Sequence, residues 1–382
     1  MDSFEVIAER SRIVVRYREG DHFQVHLNAS GYWSRQDDRF QVDEGPLELL
    51  VIHVDQVKRA LDNTAIEERD SRHGPVHKLE NGADSISLAD LEHIGLLGVG
   101  GFGRVELVMT KTHVRNMKQK QHVLNEREVL ISVDCPHIVK LYKTFRDSER
   151  LYMLMEPCLG GELFSERLST TATHFYVASA MAALEYLHSH SIVYRDLKPE
   201  NVLIDRYGLP KLCDFGFAKN IRREGKTYTF CGTPEYVAPE TILNKGQDMA
   251  VDNWSLGIFI YECLTGSPPY SNSDPMAIYN AIIRGIDRLA WPRFISREAV
   301  NMIISLCKME PAQRLGYGNW NTAREHPWFH GFDWNLFQDG GMAPPFILPV
   351  QSAIDISNFS PLELPFEFPS EVDDSGWDDE FA

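Results

Sequence analysis

No run of about 18 consecutive apolar residues occurs anywhere in the 382-residue chain, which excludes a helix that crosses a membrane by length and hydropathy. The opening MDSFEVIAER lacks the apolar core of a secretory leader, and Asp2 stands where an N-myristoylation signal needs glycine. The expectation is therefore a cytoplasmic protein. No CxxC pair is found among the six cysteines, Cys135, Cys158, Cys213, Cys231, Cys263 and Cys307. They lie far apart, mostly in apolar runs such as KLCDF and YECLTG, and read as reduced core thiols, not as a disulfide or zinc framework. Basic residues are in deficit, 38 Lys and Arg against 55 Asp and Glu, for a formal net charge of −17. That excludes the basic surface a phosphate backbone needs, so no nucleic-acid partner is expected. The acidic surplus suits basic partners, or serves solubility alone. A heptad repeat near the N-terminus is also missing, so no coiled-coil dimer is expected from these residues.

What is present is a composition 43% hydrophobic, enough for a substantial core and two or three structural units. Strand-like RIVVRY and LELLVIHV precede a helical VDQVKRAL. A polar block with Gly74, Pro75 and Gly82 then reads as a linker. Order returns with EHIGLLG, a glycine loop and ELVMT. The apolar spacing of Val123, Leu124, Val129 and Leu130 predicts a helix over 114–131. HIVKLYKTF and RLYMLME add strands, giving a small antiparallel sheet with one helix. Beyond Gly161 the periodicity is helical in FYVASAMAALEYLHSH, WSLGIFIYECLTG, AIYNAIIRG and EAVNMIISLCKM. After Trp328 no period is sustained, and the Pro-, Phe- and acid-rich remainder reads as a tail that wraps the domain or stays disordered.

The motif with most chemical content is YRDLKPEN at Tyr194–Asn201, followed by DFG at Asp214–Gly216. Together they supply what phosphoryl transfer requires: Asp196 to orient or deprotonate a hydroxyl, Asn201 and Asp214 as oxygen ligands for two magnesium ions, and Lys198 to neutralise the moving phosphoryl group. Upstream, GVGGFGRV at Gly98–Val105 lies between two strand signals, where glycines let backbone amides approach a triphosphate. A Rossmann turn would need a helix next, whereas VELVMT is strand-like. GTPEYVAPE ends in Glu240, predicted to pair with Arg314 of PAQRLG as an anchor of the helical lobe. Thr229 in KTYTFCGT is either a phosphorylation site whose charge meets Arg195 or a solvated turn threonine. Asp252 in VDNWSLG is predicted to brace the catalytic loop through backbone amides, and Trp254 to pack in the core.

These motifs resemble those of eukaryotic protein kinases over residues 88–330. LGVGGFGRVELV, LYMLMEPCLGGELF, DFGFAK, TFCGTPEYVAPE, LTGSPPYS and the terminal SGWDDEF are most similar to the AGC group and, within it, to the cGMP-dependent family. The resemblance implies an α+β bilobal protein-kinase fold, with a small antiparallel β lobe and a large helical lobe, acting on serine and threonine with ATP and Mg2+. It implies nucleotide contacts at Leu97, Gly98, Val99, Gly100, Gly101, Phe102, Gly103, Arg104 and Val105. Glu126 would be the ion-pairing helix glutamate, Met155 the back of the adenine pocket, and Glu156 and Cys158 the hinge. Glu162 would contact the nucleotide and, with Glu200 and Glu262, the arginines of a basic protein substrate. An upstream kinase would act at Thr229, and the tail around Phe359 would cover the nucleotide.

Residues 1–62 resemble the end of a cyclic-nucleotide-binding β-roll, joined by a linker at 63–87, and residues 331–382 resemble an AGC tail. GDHF at Gly20–Phe23 resembles the start of the phosphate cassette. The cassette itself departs from the family, reading FQVHLNASGYWSRQDDRF with no glutamate for the ribose, although Arg35 or Arg39 could still meet a phosphate. Little or no cGMP binding is expected. A second departure is the strand that carries the family's AxK lysine, which has no counterpart between Val105 and Glu126. Lys111 and Lys118 are the lysines nearest to that role. Two functions follow as expectations: a serine/threonine kinase for basic substrates, or a pseudokinase scaffold that binds nucleotide weakly.

Overall fold

The structure is a computed structural model, and it describes residues 5–9, 12–16, 26–27, 33–34, 49–52, 87–88, 91–95, 108–111, 114, 119–163, 167–351, 355, 357–359 and 375–381. The glycine loop at 97–105, Lys118, the segment VDQVKRAL, Gly20–Phe23, Arg35 and Arg39 lie outside the described residues.

Among the described residues, five short strands open the chain. β1 (Glu5–Glu9) pairs antiparallel with β2 (Arg12–Arg16), and β3 (His26–Leu27) with β4 (Trp33–Ser34). β5 (Leu49–Ile52) pairs with β6 (Leu91–Gly95), matching Ile52 to Leu91. That pairing joins strands on either side of the linker expected at 63–87.

A three-stranded antiparallel sheet follows, with β9 (Arg150–Met155) between β7 (Val108–Thr110) and β8 (Leu141–Arg146). β7 lies directly against β9, Val108 opposite Tyr152 and Thr110 opposite Arg150. Among the described residues no lysine-bearing strand separates them. The β8–β9 hairpin is closed by Asp147, whose Oδ1 accepts the amides of Glu149 and Arg150 at 2.7 Å each while Oδ2 takes the Tyr152 hydroxyl at 2.6 Å. Over this sheet lies α1 (Lys120–Ser132), burying Val123, Val129 and Leu130. Val114 is helical, as the apolar spacing predicts, but Gln119 is not, so the continuous described helix starts at Lys120.

The helical lobe is built around α4 (Ala250–Thr265), which packs against both α2 (Thr170–Ser189) and α6 (Arg297–Leu306). Trp254, Leu256, Ile258, Phe259 and Ile260 of α4 are all but inaccessible, as a helix apolar all round must be. Side-chain caps start the others: Ser169 accepts the amide of Ala172, and Ser296 that of Ala299. Four short strands carry the loops above this core: β10 (Ile192–Val193), β11 (Val202–Ile204), β12 (Pro210–Leu212) and β13 (Lys219–Asn220), pairing as β10–β13 and β11–β12. The predicted anchor is present. Arg314 donates from Nη1 and Nη2 to the two carboxylate oxygens of Glu240 at 2.6 Å each, with Nη1 also reaching the Ala250 carbonyl at 2.7 Å.

The described residues 375–381 at the end of the tail pack back against α1 and the sheet. Phe381 is fully buried, the Arg127 guanidinium lies 5.5 Å from its ring centroid, and the Lys120 ammonium lies 4.7 Å from the Trp377 ring. Asp378, also fully buried, meets Lys111 at 2.6 Å and Arg146 at 3.4 Å. No helix among the described residues is long and apolar enough to cross a membrane.

Candidate active site

The loop after β10 carries backbone strain at its working end. Arg195 has φ 72°, a left-handed conformation that costs a non-glycine residue about 1–3 kcal/mol unless its surroundings hold it. Asp252, in the first turn of α4, does the holding: Oδ2 accepts the Tyr194 amide at 2.9 Å and Oδ1 the Arg195 amide at 2.8 Å. His188, in the last turn of α2, lies 2.7 Å from Oδ2 through Nε2. A carboxylate at a helix N-terminus and an imidazole at a C-terminus each suit the helix dipole they meet.

That brace presents Asp196, which is almost completely buried. Its Oδ2 accepts Lys198 Nζ at 2.9 Å and Asn201 Nδ2 at 2.8 Å. Its Oδ1 accepts the hydroxyl and the amide of Thr233 at 2.9 and 3.2 Å. Lys198 also donates to the Thr233 hydroxyl at 2.9 Å. Burial works against the Lys198 ammonium, but the surrounding Asp196, Glu200 and Asp214 outweigh it and raise its pKa. Thr233 is absent from the sequence reading, because nothing in GTPEYVAPE shows that its threonine crosses to a residue 37 positions upstream.

Asp214 holds φ 55° and sits against Glu126 of α1. Burial, then the charges of Glu126 and Asp196, lift its pKa well above the usual carboxylate range. Oδ1 accepts the Gly216 amide at 3.2 Å, while Oδ2 is buried with no hydrogen-bond partner. A buried carboxylate oxygen with no donor suits a cation, and the amide oxygen of Asn201 is likewise a hard donor of the type magnesium takes. The residue types present are compatible with magnesium.

Among the described residues no lysine pairs with Glu126. Its Oε1 accepts the Phe215 amide at 3.2 Å, no cation among the described residues lies against it, and burial pushes its pKa up to about 7. Lys111 is committed to Asp378, with both side chains buried. A measurable consequence is that Glu126→Gln should stabilise the metal-free chain at high pH. A carboxyl whose folded pKa is raised contributes stability below its unfolded value of 4.5 and loses it as pH rises through 7. The gain should be near zero at pH 4.5 and reach about 2–3 kcal/mol by pH 8, read as the difference in urea unfolding between the two proteins.

The segment from Glu156 to Leu163 joins the sheet to the helical lobe. Met155, Cys158 and Leu163 are buried, and Glu162 bridges to Leu203 of β11. Gly161 has φ 79°, and a Cβ there would stand 2.5 Å from the Asn358 carbonyl, so only glycine admits the tail at this point. Asn358 in turn donates to the Leu159 carbonyl at 3.0 Å, placing the neighbouring Phe359 beside the connecting segment.

On the other side of Lys198, Glu200 and Glu262 gather with Glu235, which the sequence reading omits. The Tyr236 hydroxyl donates to Glu262 Oε2. Burial, with Glu200 and Glu235 nearby, lifts the Glu262 pKa to about 7, and burial with Glu200 raises that of Glu235. Thr229 is exposed, its carbonyl held by Gln247 Nε2 at 2.8 Å. Arg195 donates from Nε to the Phe217 carbonyl at 2.7 Å, but its buried Nη1 has no partner. His122 of α1 packs edge-on against Phe217, and its pKa is lowered by burial and by Arg195.

The fold and this constellation of residues are those of the protein kinase class. The family model described as protein kinase domain matches residues 91–329, and the chain belongs to that family. The relatives are cGMP-dependent protein kinases. Over 334 residues the chain is 45% identical to isozyme 1 of Drosophila melanogaster, covering 81% of this chain and 43% of that protein. It is 44% identical over 325 residues to cGMP-dependent protein kinase 2 of Homo sapiens, covering 80% and 42%. For egl-4 of Caenorhabditis elegans it is 44% over 318 residues, covering 78% and 41%. The chain spans less than half the length of these relatives. Protein kinases use ATP with Mg2+ and act on protein substrates, and those coarser expectations hold for the family.

Proposed function

We propose that this chain transfers the γ-phosphate of ATP to serine or threonine in basic protein segments. The observation that carries the reading is the arrangement of Lys198, Asn201 and Thr233 around the buried carboxylate of Asp196, beside Asp214 with its unpartnered oxygen. When bound, magnesium-ATP supplies the electrophilic phosphoryl group. Asn201 and Asp214 would hold the metals, and the backbone of residues 97–105 would cover the phosphates. Asp196 orients the substrate hydroxyl and takes its proton as the oxygen is phosphorylated, exchanging a Thr233 bond for one to the substrate. Lys198, kept protonated by its acidic neighbours, stays beside the transferring group as a fixed positive charge. The cGMP-dependent relatives named above are kinases by name, which supports this reading over the scaffold alternative.

Glu200, Glu235 and Glu262, with Glu162, would take the arginines of a basic substrate. Because the Glu262 carboxyl titrates near 7, its charge, and with it arginine binding, grows as pH rises through neutrality. The KM for an arginine-rich serine peptide should fall between pH 6 and pH 8, and Glu262→Gln should flatten that dependence while raising KM about tenfold, as loss of a charged hydrogen bond does. An unchanged KM profile in the variant would remove Glu262 from the substrate site. An upstream kinase acting at Thr229 would supply a phosphate for the free Nη1 of Arg195. Cytoplasmic location remains part of the proposal.

A further inference from the structure

The ion pair at the start of the connecting segment brings in a lysine that has no role in the chemistry above. Lys211, in β12, reaches Glu156 with Nζ 2.8 Å from Oε1, the two side chains being 11% and 15% exposed. The other carboxylate oxygen of Glu156 accepts the Lys140 amide at 3.3 Å, and the Glu156 amide donates to the Lys140 carbonyl at 2.8 Å. Glu156 is thus clamped between the chain entering β8 and the hairpin β11–β12.

The same hairpin holds the rest of the connecting segment. Gly160 donates to the Ile204 carbonyl at 2.8 Å, Ile204 to that of Gly161 at 2.8 Å, and Leu163 to that of Val202 at 2.7 Å. Next to Lys211, Leu212 donates to the His137 carbonyl at 2.8 Å and accepts the Val139 amide at 2.9 Å. Asp214 follows two residues later. Lys211 therefore sits where the strand leading to Asp214 is sewn to the segment between the lobes. Burial, then the nearby Lys211, push the His137 imidazole down to about 4.

We propose that Lys211 is a positioning residue for nucleotide binding: through Glu156 it fixes the connecting segment against the strand that delivers Asp214, and so sets ATP affinity without touching the nucleotide. The inference rests on the kinase reading for its ligand. With no lysine-bearing strand among the described residues, this end of the pocket is the part whose grip on the nucleotide the structure describes.

The test is binding of a fluorescent ATP analogue with Mg2+ to the wild type, Lys211→Arg, Lys211→Met and the double variant Lys211→Met/Glu156→Met. The double variant matters because a buried ion pair replaced by apolar side chains is often neutral in stability, which separates positioning from folding. Expected are a Kd about tenfold higher in Lys211→Met, near wild type in Lys211→Arg, and still raised in the double variant even where its melting temperature has recovered. KM for peptide should not move. A folded double variant that binds the analogue as the wild type does would overturn the proposal, and so would a wild type that binds none. Phosphotransfer is scored separately: a chain that binds nucleotide in this pattern yet transfers no phosphate refutes the kinase reading and leaves the role of Lys211 standing.

Discussion

Asp196→Asn is expected to lower the rate of phosphate transfer to peptide by about 10²–10⁴-fold, the usual contribution of a positioned general base. The carboxylate oxygens each accept two bonds, from Lys198 and Asn201 on one side and from Thr233 on the other. An asparagine keeps the shape but turns one acceptor into a donor, which must then face either the Lys198 ammonium or the Thr233 amide. Both the proton acceptor and the fixed orientation of the substrate hydroxyl are lost. ATP affinity should change little, because Asn201 and Asp214 remain. Initial rates with a saturating peptide, alongside Kd for the nucleotide, separate the two. A rate within threefold of wild type would mean that Asp196 is not the base.

Arg314→Ala is expected to remove about 3–5 kcal/mol of folding stability, among the largest single losses available in the molecule. The guanidinium is inaccessible and spends its donors on Glu240, on the Ala250 carbonyl, and from Nε on the Lys308 carbonyl at 2.9 Å. Its charge also lies 5.3 Å from the Trp254 ring centroid. Alanine leaves Glu240 buried without a counter-charge and two carbonyls without donors, with no water able to replace all of them. The comparison that fixes the magnitude is Lys219 with Glu224, 2.8 Å apart but 34% and 57% exposed, where solvent screening leaves about 0–1 kcal/mol. Urea unfolding followed by circular dichroism should show a large shift in midpoint for Arg314→Ala and almost none for Lys219→Ala. Equal shifts would show that burial is not what gives the first pair its weight.

Residues that act through sequence neighbours were legible in the chain itself. YRDLKPEN places Asp196, Lys198 and Asn201 within one loop, so their meeting needs no long-range information, and α2, α4 and α6 follow from apolar periodicity. Glu240 with Arg314 was legible because each residue lies in its own recognisable motif. Thr233, Glu235 and His122 were not, since each reaches the site by crossing from an element whose local pattern says nothing of its tertiary neighbour. The tail is the clearest case. SGWDDEF has no period, and its order comes from the cations of the sheet and α1. The pairing of Lys111 with Asp378 bears on one of the two lysines the spacing left open, since Lys111 is engaged there, while Lys118 lies outside the described residues. Nine glycine-loop residues, 97–105, were readable as sequence and lie outside the described structure.

Transfer of label from γ-labelled ATP to an arginine-rich serine peptide tests the proposed activity most directly. It should be run on the unaltered chain, on Asp196→Asn, and on a version with a lysine-bearing strand inserted between Thr110 and α1. The expected result is slow incorporation by the unaltered chain that disappears in Asp196→Asn and rises about 10²–10³-fold with the inserted strand, the scale of one preorganised charge. Incorporation by the unaltered chain no greater than that of Asp196→Asn, with magnesium-ATP demonstrably bound, would contradict phosphotransfer by this chain.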